Sequence, residues 1–170
     1  MTLKKMIAAL AGYVGARLLG AGLGLLTQVM NGGTADRPAD AVAESYALLG
    51  ANHQITLGYD ACELRAKVHA SSMDAAVQLL AASAIRPRFV ADDFQRTRAR
   101  WLQLTHGGPG AQGANQRALI FGGREHPYGY TRPPQGYREG LRLEDIAALH
   151  AVLFDPARVT LVVVGDVRPD

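Results

Sequence analysis

Apolar and polar positions alternate along this chain with two periods, one helical and one of strand type, and together they divide it into short elements. Residues 23–30 are apolar with Gln28 as the main polar member and end at Asn31-Gly32-Gly33, which predicts a short helix with a glycine stop. After a loop at 34–38, Ala41, Ala43, Tyr46, Leu48 and Leu49 fall near one stripe, and Gly50 closes that helix. Period-two alternation follows at 53–59 and 61–70. Ile55, Leu57 and Tyr59 share one face of the first segment, and Cys62, Leu64, Ala66 and Val68 share one face of the second. Glu63, Arg65, Lys67 and His69 fill the opposite side, as in a half-buried antiparallel hairpin.

Ser71-Ser72-Met73-Asp74 reads as a helix start with a hydroxyl cap, running through 75–85 to the stop at Arg86-Pro87. Ala91-Asp92-Asp93 opens the next helix over 94–104, which carries Trp101. Its Arg96, Arg98 and Arg100 do not share a face and read as solvated positions. After a break at 106–110, residues 111–121 read as helix and 130–138 as loop. Leu143, Ile146, Ala147, Leu149 and Leu153 define a last helix, with Glu144 and Asp145 at its N-terminus and Asp155-Pro156 ending it. Residues 159–165 are apolar on both alternating faces, the pattern of a central strand buried from two sides. The expected fold class is α+β, a two-layer sandwich with a small, largely antiparallel sheet and helices on one face.

At 170 residues and 48% hydrophobic, the chain holds enough apolar material for one core. Its net charge of +3 is spread along the sequence, which gives no support to nucleic-acid binding. Residues 1–20 form an atypical, glycine-rich start, read as a strand or helix of the fold, a remnant of one, or a signal-like segment. Lys4-Lys5 followed by apolar residues superficially resembles a signal peptide, but Arg17 and several glycines interrupt the run and no membrane span is expected. Residues 21–170 are expected to form a single module.

Catalytic motifs are sparse. Gly20-Ala21-Gly22-Leu23-Gly24 lacks a preceding strand and a lysine-serine pair, so it does not read as a phosphate loop. His53, His69, His106, His126 and His150 show no spacing suited to a helical zinc site. His53, His69 and His150 are expected on solvent faces, and His106 in a loop. Glu125-His126 is followed by Pro127 and reads as turn chemistry, while Ser45, Ser71, Ser72 and Ser83 have no glycine elbow. Cys62 lies mid-strand without a motif.

The order of these elements resembles one module of the pitrilysin/insulinase-type zinc peptidases, the family that includes the mitochondrial processing peptidase. The stretches that carry the resemblance are Gly33-Thr34 with Arg37 and the following helix, the hairpin 52–69, the helix ending near Pro87, Phe94-Gln95-Arg96, His126-Pro127-Tyr128-Gly129, and Asp155-Pro156 with residues 162–167. In that family a His-x-x-Glu-His helix and a downstream glutamate hold zinc. The corresponding positions here are Gly24, Thr27, Gln28 and Leu104, and residues 20–32 contain no His, Glu, Asp or Cys. The resemblance therefore implies a non-catalytic module without metal or cofactor, paired with a catalytic zinc-peptidase subunit or a second module of the family to enclose a peptide. It implies a module shortened relative to the family, a bacterial periplasmic setting, and His53, Gln54, Ile55, Thr56 and Leu57 as the peptide-contacting strand. Its alternatives are an assembly subunit that binds only protein, or an active fragment that borrows ligands from elsewhere.

Overall fold

A computed structural model describes residues 13–57, 61–105, 116, 118–122 and 135–166. Helix α1 (Tyr13–Met30) is followed by the two-residue strands β1 (Gly33–Thr34) and β2 (Arg37–Pro38), helix α2 (Ala39–Leu48), and the hairpin β3 (Asn52–Leu57) and β4 (Cys62–Lys67). Helices α3 (Met73–Ile85), α4 (Ala91–Thr105), α5 (Gln135–Glu139) and α6 (Leu143–Leu153) complete the described elements, with short 3-10 turns at Ala70–Ser72 and Pro156–Arg158. The fold is α+β, and among the described residues there are two separate antiparallel two-stranded sheets, β1-β2 and β3-β4.

Helix α1 is the centre of the packing: α4, α5, α6 and β3 all lie against it. Leu25, Leu26, Val29 and Met30 repeat at helical spacing and are buried with Phe94 and Trp101 of α4, Ile146 of α6 and Leu141. Close approach of α6 is possible because Gly22 carries no side chain, since a methyl there would lie 2.9 Å from Leu149 Cδ2. The helix begins at Tyr13, ahead of the start at 23 that periodicity predicts, and the apolar residues among 13–22 belong to the same helix.

Helix α2 ends in a Schellman motif. Gly50, at φ +61°, sends its N–H to Ala47 O at 2.9 Å, and Ala51 N–H reaches Tyr46 O at 2.9 Å, so the last carbonyls of the helix are met. The hairpin that follows pairs Ile55 with Leu64 and His53 with Ala66. Its inner face packs on the core through Ile55 and Leu64, while Gln54, Thr56, Glu63, Arg65 and Lys67 remain exposed. Helices cover that inner face, α3 against β4 and α1 and α2 against β3.

Four expectations need correction. Residues 159–164 form no strand among the described residues, and they are exposed: Val162 is 75% and Val164 91% accessible. A β-branched run specifies a strand only when neighbours flank it, and here none of the described strands does. Residues 135–138, placed at the end of the 130–138 loop behind the tandem Pro133-Pro134, form α5 with Glu139. The start of α3 is not capped by a hydroxyl: Ser72 makes no side-chain cap bond, and the turn before it is held by His69 Nδ1, which lies 2.9 Å from Ser71 Oγ. Arg98 is half-buried rather than solvated. The glycine-rich break at 106–110 and the stretch 123–134, with His126-Pro127-Tyr128-Gly129, lie outside the described residues.

Candidate functional site

The four positions singled out by the missing ligands lie on two adjacent helices. Residues 24, 27 and 28 share one stripe of α1 by helical spacing, and α4 packs alongside. Trp101 of α4 lies over Gly24: a methyl at Gly24 would be 3.5 Å from Trp101 Nε1 and 3.6 Å from Cζ2. Leu104 follows Trp101 by nearly one helical turn and is 66% exposed.

None of these side chains offers a metal a strong donor. The Thr27 hydroxyl donates within its own helix to Gly24 O at 2.9 Å, and Asn31 Nδ2 donates to Thr27 O at 2.9 Å. Thr27 is buried, Gln28 is an exposed neutral amide, and Leu104 is a hydrocarbon. Zinc binding draws on imidazole, thiolate or carboxylate lone pairs, and this stripe contains none. Among the described residues, no group of three His, Cys, Asp or Glu side chains is arranged to hold a metal.

The strand of the peptide-contact expectation is β3. Among the described residues it pairs with β4 on one edge only, so its other edge has no strand partner. Gln54 and Thr56 are exposed, and Ile55 points into the core. His53 departs from its expected solvent position. It lies half-buried on the inner face, and its ring stacks on Tyr46 with centroids 4.1 Å apart and planes 9° from parallel. Burial pushes the Tyr46 phenol up, partly countered by the Ser83 hydroxyl. The alternation His53, Ile55, Leu57 already carried that signal, because residues two apart on a strand share a face.

His150 also departs from its expected exposure. It is 7% accessible, its Nε2–H donates to Ala84 O at 2.7 Å, and its ring stacks on Phe154 and meets Phe89 edge-on. The signal was the four-residue step from Ile146, which places both on one helical face. His69 is exposed, as the hairpin alternation predicts.

An open cleft of about 500 Å³ lies between α4 and the start of α6. Arg98, Arg142, Glu139 and Glu144 line it with Phe94 and Leu141, so its charges are mixed rather than of one sign.

No helix among the described residues is long and apolar enough to cross a membrane. Compared with models of known protein families and with curated proteins, the chain matches none.

Proposed function

We propose that this chain is a catalytically inactive, peptidase-like module that pairs with a second module or subunit to form a peptide-binding chamber. The observation that carries the reading is the packing of Trp101 on Gly24, next to a threonine bonded to its own helix, an exposed amide at Gln28 and a leucine at 104. A water-activating ion needs lone pairs at fixed positions, and an indole set on a glycine fills such a position with hydrocarbon. The peptide would add to the edge of β3 that has no strand partner among the described residues, main chain to main chain, along His53, Gln54, Ile55, Thr56 and Leu57. The catalytic residues would belong to the partner.

Two measurements test this. Purified full-length chain is assayed for zinc content and for peptide cleavage with and without a chelator; sub-stoichiometric zinc and no cleavage are expected, and tightly held stoichiometric zinc with chelator-sensitive cleavage overturns the reading. The tagged chain is then recovered from its native cells. A co-purifying zinc peptidase supports the chamber, whereas a stable complex without one assigns the chain to assembly.

A further inference from the structure

We draw no further inference here: the strongest candidate, the open cleft between α4 and the start of α6 lined by the half-buried Arg98, whose buried Nε has no hydrogen-bond partner among the described residues, carries charges of both signs on its walls, and nothing in the structure shows what covers it.

Discussion

His150 Nε2 donates to the carbonyl oxygen of Ala84 at 2.7 Å, so that α6 satisfies one of the orphan acceptors in the last turn of α3. Burial holds the imidazole below its ordinary value of 6.5, with the Ala84 bond acting in the opposite direction. The neutral ring is thus the folded form. Its contribution is complete above about pH 6.5, where the unfolded side chain is also neutral, and is lost as pH falls through the lower folded value. His150→Gln should cost about 1–3 kcal/mol at pH 7.5, and the gap between variant and parent should narrow toward pH 5. Urea unfolding across that range checks both the loss and its sign.

Two glycines should respond oppositely to the same substitution. At Gly24 an added methyl meets Trp101 at ordinary van der Waals distance within a helix, so Gly24→Ala should raise stability by about 0.5–1 kcal/mol. At Gly33, φ is +111° and the methyl would lie 2.5 Å from Arg37 O. Gly33→Ala should therefore cost about 1–3 kcal/mol, through strain at the first residue of β1 where it faces β2. Thermal melts of the two variants against the parent separate these outcomes.

Asp93 lies in the first turn of α4, where the helix favours an anion, and it accepts from Arg88 Nε at 2.7 Å and from Arg96. Both Arg88 and Asp93 are largely covered, so this pair is better sheltered than the exposed Glu63–Arg65 and Asp36–Arg86 pairs. Asp93→Asn should cost about 1 kcal/mol at low salt and less at 1 M salt, whereas Glu63→Gln should be nearly neutral. Unfolding midpoints at two ionic strengths distinguish them.

Burial, and then the Glu63 carboxylate, push the Cys62 thiol up from its ordinary value. Alkylation by iodoacetamide at pH 8 should be slower than for a free cysteine, because the thiolate is the reacting form. Glu63→Gln should recover part of the rate by removing the smaller of the two causes. Mass spectrometry over time measures it.

Much of the architecture was legible because it rests on local periodicity. The stripe Leu25, Leu26, Val29, Met30 and the alternation of β3 and β4 each fix which face is buried without knowledge of the partner. Residues 159–164 were not legible in the same way. Their composition specifies a strand with neighbours, and none of the described strands supplies them. His53 and His150 lie inside although histidine is polar, and their spacing to Ile55 and Ile146 carries that signal. At the candidate site, the sequence supplies the identities at 24, 27, 28 and 104. It did not give Trp101 as the group lying on Gly24, which depends on how α1 and α4 cross.

The partners of α1 are both near and far in sequence, since β3 follows it closely but α6 joins it only after more than a hundred further residues. Local helix formation cannot by itself shelter Leu25 and Leu26, because Ile146 follows them by more than a hundred residues. On the ribosome, α1 would emerge with its greasy stripe uncovered and wait for more than a hundred further residues before closure. Such long-range closure slows folding and favours capture by chaperones in the interval.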